Sequence, residues 1–237
     1  MPSEKRVQAV FMVPDHSGTY GVNDSKFCVG MGEADFPEHQ LDQREWTLST
    51  FSEKIGLPLK MGSLGESPKG ENRAGRLLSV EAHPDQKSFG GTHTKYEREL
   101  LVVARCDGAN LEPPLLYVVL GFIQHFQKSA DPRVGKTDKE SYAAKKKLAA
   151  TVNPEAFKKF FESSGKQEAA QIYPSYIDAK LPDAAHGKFC RKCGMAEKEG
   201  KTKLLGCGGC NEVYYCDKKC QKLNWKAHKE ICKGQKK

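Results

Sequence analysis

CRKCGMAEKEGKTKLLGCGGCNEVYYCDKKCQKLNWKAHKEIC, residues 190–232, sets eight metal-ligand side chains in one spacing pattern: Cys190, Cys193, Cys207, Cys210, Cys216, Cys220, His228 and Cys232. Seven of the nine cysteines fall here, and the other two, Cys28 and Cys106, stand far upstream. The two Cys-x2-Cys pairs offer ligands from tight turns, the second of which Gly206, Gly208 and Gly209 are expected to ease. Cys216/Cys220 and His228/Cys232 are each spaced i,i+4, which puts each pair on one face of a helical turn. Four thiolate or imidazole ligands close a tetrahedral zinc site, so eight of them predict two structural zinc ions.

A disulfide framework is the competing explanation, and it requires an oxidising compartment. The first residues, MPSEKRVQAVFMVPDHSG, hold only a short apolar stretch interrupted by Gln8 and no small-residue cleavage motif, so an intracellular chain, nuclear or cytoplasmic, is expected. Disulfides also leave a histidine in register with seven cysteines unexplained. The sequon Asn23-Asp24-Ser25 is then expected to be inert.

The stretch from Asp217 to Lys233 has no Gly or Pro and reads as helix. Along a continuous helix Cys220 and His228 are about 12 Å apart, a gap that zinc–ligand bonds of about 2.0–2.3 Å do not span. The two helical pairs therefore serve different ions, each completed by one Cys-x2-Cys pair. Spacing leaves a crossed and a nested arrangement both open.

The run Tyr214-Tyr215-Cys216-Asp217-Lys218-Lys219-Cys220-Gln221, with Trp225 three residues before His228 and Lys229 after it, resembles the MYND zinc finger. The resemblance covers about a fifth of the chain. It implies a cross-brace, with Cys190, Cys193, Cys216 and Cys220 on one zinc and Cys207, Cys210, His228 and Cys232 on the other. It also implies a shallow groove for short Pro-rich segments of Pro-x-Leu-x-Pro or Pro-Pro-Leu type, lined by Gln221 and Trp225. There an extended peptide would pair with a sheet edge such as Val213–Tyr215, with Tyr215 taking part, and stack its prolines on the aromatic ring. The alternative role for Trp225 is to plug a core too small to do without it. The chain departs from the family pattern in its 13-residue loop between the Cys-x2-Cys pairs and in Asn224, where an acidic residue is common.

With 237 residues, 38% of them hydrophobic, and a mean hydropathy of −0.64, the chain has room for one medium domain besides the finger. Its longest apolar run, Leu115–Ile123, is too short to span a bilayer, so no membrane segment is expected. The net charge of +8 is uneven: residues 186–237 carry 14 basic and 5 acidic residues, against 24 and 25 in residues 1–185. Seven thiolates and two zinc ions bring the finger to about +6. A surface of that sign suits acidic proteins or nucleic acid, although lysines dominate and few arginines are available to read bases.

Upstream, Arg6–Val13, Lys26–Met31, Trp46–Phe51, Arg76–Ala82 and Glu99–Cys106 read as strands, with a Gly/Ser/Pro-rich loop over Met61–Gly75. Leu115–Lys128 reads as a core helix starting near Pro113-Pro114. Thr137 and Glu140 suit a capping box for a helix reaching Val152. Asn153-Pro154 starts another helix, which turns Phe157, Phe160 and Phe161 inward. The expected architecture is an α+β domain over residues 1–170, a linker over 171–187 and the cross-braced finger over 188–237.

Catalytic signatures are sparse. His83-Pro84-Asp85 with His125 and Arg133 resembles the ligand order of iron/2-oxoglutarate oxygenases, but only 39 residues separate Asp85 from His125, and His125 falls in a helix where that fold needs a strand. The cofactor motif of SET-domain methyltransferases is absent, as are Walker, dinucleotide and Gly-x-Ser-x-Gly motifs. Cys28 and Cys106 sit in apolar strand-like runs and read as buried structural thiols rather than nucleophiles. Lys145-Lys146-Lys147 reads as the wet face of a helix. The segment Leu111-Glu112-Pro113-Pro114-Leu115-Leu116 is close to the Pro-Pro-Leu segments such a groove accepts, but the stronger reading is an ordinary helix start at Pro113-Pro114 with Leu115-Leu116 in the core. The chain reads as a zinc-binding adaptor whose finger binds Pro-rich protein segments. The competing readings are an enzyme with its active site in the N-terminal domain and a basic nucleic-acid-binding protein.

Overall fold

The computed structural model describes residues 6–14, 22–24, 27, 29–37, 45–66, 71–92, 96, 98–129, 138–185, 187–198 and 202–232. Cys28, Arg133, Thr137 and the serine of the sequon lie outside them. Strands β1 (Arg6–Pro14), β2 (Val22–Asp24), β3 (Val29–Pro37), β4 (Trp46–Leu48), β5 (Leu59–Glu66) and β6 (Glu99–Arg105) form one sheet in the order β2-β3-β1-β6-β5-β4. Every pair in it is antiparallel. Alternation along the strands sorts side chains to two faces. Met12, Leu59, Met61, Leu101 and Val103 go to the main core, while Val7, Ala9, Trp46, Val102 and Ala104 form a smaller cluster.

Helices supply the rest of the main core: α1 (Thr50–Lys54), α2 (Arg73–Leu78), α3 (Pro113–Ser129), α4 (Asp138–Ala150), α5 (Pro154–Phe160) and α6 (Lys166–Ala170), the last two joined by a π turn at Phe161–Gly165. α3 is buried on nearly every side, as its apolar composition predicts. Phe122 meets Phe157 edge-on at 5.4 Å, and burying each such ring contributes about 1.5–3 kcal/mol. Asn153 caps α5 by accepting from the Ala156 N–H at 2.8 Å.

Three sequence expectations need correction. Met61–Gly75 is not a loop, because Leu59–Glu66 is a strand paired with β6 and Arg73–Leu78 is a helix. Arg76–Ala82 is not a strand, because Asn72 caps α2 by accepting from the Gly75 N–H and the helix packs Leu77 and Leu78 inward. The strand from Trp46 ends at Leu48, where Ser49 caps α1. Leu111 and Leu116 are fully buried and Leu115 nearly so, so the leucines of this segment are spent on the start of a core helix and not on the finger's groove. Residues 171–185 lie along the domain. Tyr176, in a 3-10 turn at Pro174–Asp178, stands edge-on to Phe161, and the Ala185 N–H donates to the Gly56 carbonyl.

Candidate metal centre

The two Cys-x2-Cys turns are built alike. The Gly194 N–H donates to the Cys190 carbonyl at 2.8 Å, and the Asn211 N–H donates to the Cys207 carbonyl at the same distance. Each residue after the second cysteine is left-handed, Gly194 at φ 71° and Asn211 at φ 54°. Glycine and asparagine are the residues that enter that region most readily. Gly206, Gly208 and Gly209 do not have positive φ, so the expectation that they ease the second turn is corrected in favour of Asn211.

Strands β7 (Leu205–Gly206) and β8 (Tyr214–Tyr215) form a two-stranded sheet, and helix α7 (Lys218–His228) follows. Asp217 caps α7, its carboxylate accepting from the Cys220 N–H at 2.6 Å, which fixes the turn between Cys216 and Cys220. An aspartate three residues before a helical cysteine is a legible cap, and it extends the set of site residues beyond the ligands.

The eight ligands gather into two groups, Cys190/Cys193/Cys216/Cys220 and Cys207/Cys210/His228/Cys232, with the ligand atoms of each group within 4.8 Å of one another. Separations include 3.7 Å for Cys193–Cys216, 3.4 Å for Cys216–Cys220 and 3.9 Å for Cys207–Cys232. His228 Nε2 lies 3.2 Å from the Cys207 Sγ and 3.6 Å from the Cys210 Sγ. Tetrahedral bonds of about 2.3 Å put sulfurs roughly 3.8 Å apart, whereas a disulfide needs about 2.05 Å. Both groups fit a zinc ion, in the crossed arrangement rather than the nested one.

The electrostatics of the thiols agree with that use. A hydrogen bond with the Cys193 side chain holds Cys190 down to about 5, and the same bond together with burial pushes Cys193 up. Burial raises Cys216, and it raises Cys220 to about 12. Burial opposes ionisation of Cys207, but the N–H groups of Gly209 and Cys210, together with hydrogen bonds from the Cys232 and Cys210 thiols, hold it below its usual value. Burial lowers His228, which keeps the imidazole neutral as a ligand must be. Four such groups do not ionise together without a cation, and a divalent ion reverses the balance.

The finger is docked on the sheet. The Leu48 N–H at the β4 edge donates to the Lys192 carbonyl at 3.1 Å. Leu48, Cys106 and Phe189 form a buried cluster, and Cys193 packs against the smaller sheet-face cluster of Val7, Ala9, Trp46, Val102 and Ala104. Arg191 pairs with Glu53, and the Gln86 side-chain amide donates to the Ala227 carbonyl at 2.8 Å. Between domain and finger lies a cavity of about 340 Å³ whose lining includes Ser79, Glu81, Gln86, Leu223, Ala227 and His228. None of these contacts is signalled by ligand spacing.

Of the groove residues, Gln221 and Trp225 are half-buried, and Trp225 lies edge-on to His228 at 5.8 Å. Neither lines the junction cavity. The Tyr215 ring is interior at 1% exposure, donating its hydroxyl to Asn224 at 2.9 Å, so it offers a peptide no side-chain surface. The Val213–Tyr215 edge is taken on both sides: β7 pairs along one, and the Arg191 N–H donates to the Tyr214 carbonyl on the other. The outer strand of this small sheet is β7, whose Leu205 is 51% exposed.

Among the described residues the metal-capable clusters are the two in the finger. His125 lies exposed on α3 beside Phe160, while His83 and Asp85 stay together in a loop, so no iron triad forms from them. Cys106 is buried and its thiol is pushed up by that burial, which suits a structural thiol and not a nucleophile. No described helix is long and apolar enough to cross a membrane.

Comparison with known proteins finds relatives for this region. The stretch is 46% identical over 59 residues to N-lysine methyltransferase SMYD2 of Rattus norvegicus, covering 25% of this chain and 12% of that protein. It is 40% identical over 47 residues to Egl nine homolog 1 of Mus musculus, covering 20% of this chain and 10% of that protein. The chain therefore spans about a tenth of the length of these relatives. No solved structure matches the chain. A family profile described as "MYND finger" matches residues 190–232; with its two ligand groups, that segment is a MYND finger.

Proposed function

We propose that the chain is a zinc-dependent adaptor. Residues 188–237 present the finger to a protein partner, residues 1–170 form the body that carries it, and residues 171–187 connect the two. The partner segment is short and Pro-rich, and it is received on Gln221 and Trp225. One observation carries this reading: α7 turns Leu223 and Ala227 to the junction cavity, while Gln221 and Trp225 stay outside it. A pre-extended Pro-rich segment loses little entropy on docking against an aromatic ring. The site of action is intracellular, nuclear or cytoplasmic. The test is a titration of the full zinc-loaded chain with Pro-Pro-Leu and Pro-x-Leu-x-Pro peptides, followed by NMR. Shifts are expected at Gln221 and at the Trp225 indole, with binding lost in Trp225→Ala. No shift at millimolar peptide would end the reading.

An enzymatic reading has the junction cavity, with Ser79, Glu81 and Gln86 on its wall, in its favour. The catalytic names of the relatives lend it nothing, because the similarity is confined to a tenth or so of their length. A small molecule that raises the melting temperature of the wild type but not of Glu81→Gln would support it. Duplex-DNA affinity that falls steeply with salt would instead support the nucleic-acid reading.

A further inference from the structure

Lys218 and Lys219 work against the helix they sit on, whereas Lys226 in the last turn and Lys229 at the C-cap suit its dipole. Lys218, Lys219, Lys222 and Lys226 lie within it and Lys229 is its C-cap, with no Asp or Glu between Asp217 and Glu230. At 3.6 residues per turn all five fall within an arc of about 100°. Lys218, Lys222 and Lys226 are spaced i,i+4, where like charges repel. Lys218 and Lys219 also occupy the first turn, at the positive end of the helix dipole. Asp217 is committed to the Cys220 N–H. The finger's other described cations include Lys188, which pairs with Glu197, Arg191, which pairs with Glu53, and Lys192, which reaches Thr47. Among the described residues no ion-pair partner faces the five α7 lysines.

Trp225 lies about 20° outside that arc, on the side away from the junction. The half-buried Trp225 ring therefore stands directly beside an uncompensated cationic strip, and both remain accessible with the finger docked. We propose that the segment received by the finger is acidic as well as Pro-rich: its prolines rest on Trp225 while Asp or Glu residues flanking them meet the α7 lysines. The proposal rests on the Pro-rich reading above. The surface suits nucleic acid less well. α7 supplies lysines and no arginine for bidentate contacts to base edges, and the backbone of a duplex makes no use of the Trp225 ring.

The experiment uses the full zinc-loaded chain and three labelled peptides sharing a Pro-Pro-Leu core, flanked by Glu, Ser or Lys, read by anisotropy. The Glu-flanked peptide is expected to bind about tenfold tighter than the Ser-flanked one at low salt, with the advantage lost near 0.5 M salt. The exposed charge reversals Lys222→Glu and Lys226→Glu together should invert the preference toward the Lys-flanked peptide, at unchanged zinc content and melting temperature. If all three peptides bind equally while Trp225→Ala still abolishes binding, the acidic flank is wrong and the Pro-rich reading stands. If none binds, the Pro-rich reading fails and takes this proposal with it. Duplex DNA that displaces the Glu-flanked peptide and binds more tightly, in a manner lost in the double reversal, would assign the lysines to nucleic acid and overturn the proposal.

Discussion

Gly194 lies so close against Cys106 that a Cβ on it would stand 2.7 Å from the Cys106 Sγ and 3.1 Å from the Lys60 Cβ. The same residue is left-handed and closes the first ligand turn. One glycine thus serves both metal-site geometry and the docking of the finger on the domain. Gly194→Ala should add backbone strain of about 1–3 kcal/mol to an overpacking cost of about 1–3 kcal/mol. Asn211, equivalent in the second turn, takes part in none of the junction contacts described, so Asn211→Gly should change stability by only a few tenths of a kcal/mol. Thermal unfolding of the two zinc-loaded variants decides it. Equal melting temperatures would mean that Gly194 does not touch the domain as described.

The docking also depends on Phe189, 9% exposed in a cluster with Leu48 and Cys106. Phe189→Ala should remove about 3–5 kcal/mol of packing at that contact while leaving all eight ligands in place. The expected result is a chain that retains two zincs but is cleaved faster by proteases in residues 179–189. Unchanged cleavage would place the stability of the junction elsewhere.

The finger was legible in the sequence because coordination chemistry fixes its spacing through ligand count and the reach of a zinc–sulfur bond, although Cys216 lies before the Asp217 cap and does not share a helical turn with Cys220 as its i,i+4 spacing predicts. The domain was less so, because its elements are decided by partners distant in sequence. Leu59–Glu66 contains Gly62, Ser63 and Gly65 and looks like a loop, yet it is a strand because β6 and β4 flank it. Arg76–Ala82, with Leu77, Leu78, Val80 and Ala82, looks β-like, but Asn72 caps a helix over Arg73–Leu78. The docking left no local trace, since Leu48, Phe189 and Gly194 are ordinary residues until the fold brings them together.

Zinc is expected to be structural, since this short segment has a core consisting of little beyond its own cysteines, Leu204 and Tyr215. Elemental analysis under reducing conditions should give two zincs per chain, one for each ligand group. Cys216→Ala and His228→Ala should each unfold the finger, because either leaves a zinc site with three ligands where four are needed to close it. The circular dichroism of the sheet and of α3 should survive in both. A chain that keeps its full melting transition after exhaustive chelation would contradict a structural role.

Cys106 makes the junction sensitive to pH in a calculable direction. Burial pushes its thiol up in the folded chain, against about 8.5 for an exposed cysteine. The folded state therefore holds the proton more tightly than the unfolded one. The stability this contributes is complete below about pH 8.5 and is lost progressively as pH rises toward the folded value, by at most about 1.4 kcal/mol per pH unit. Cys106→Ala removes the titration. The melting temperatures of wild type and variant should draw together, or cross in favour of the variant, between about pH 8 and pH 10. In the same range a thiol reagent should fail to label Cys106 in the folded, zinc-loaded chain. Rapid labelling at pH 8, or a pH-independent gap between the two melting curves, would show that the thiol is not sealed under Gly194.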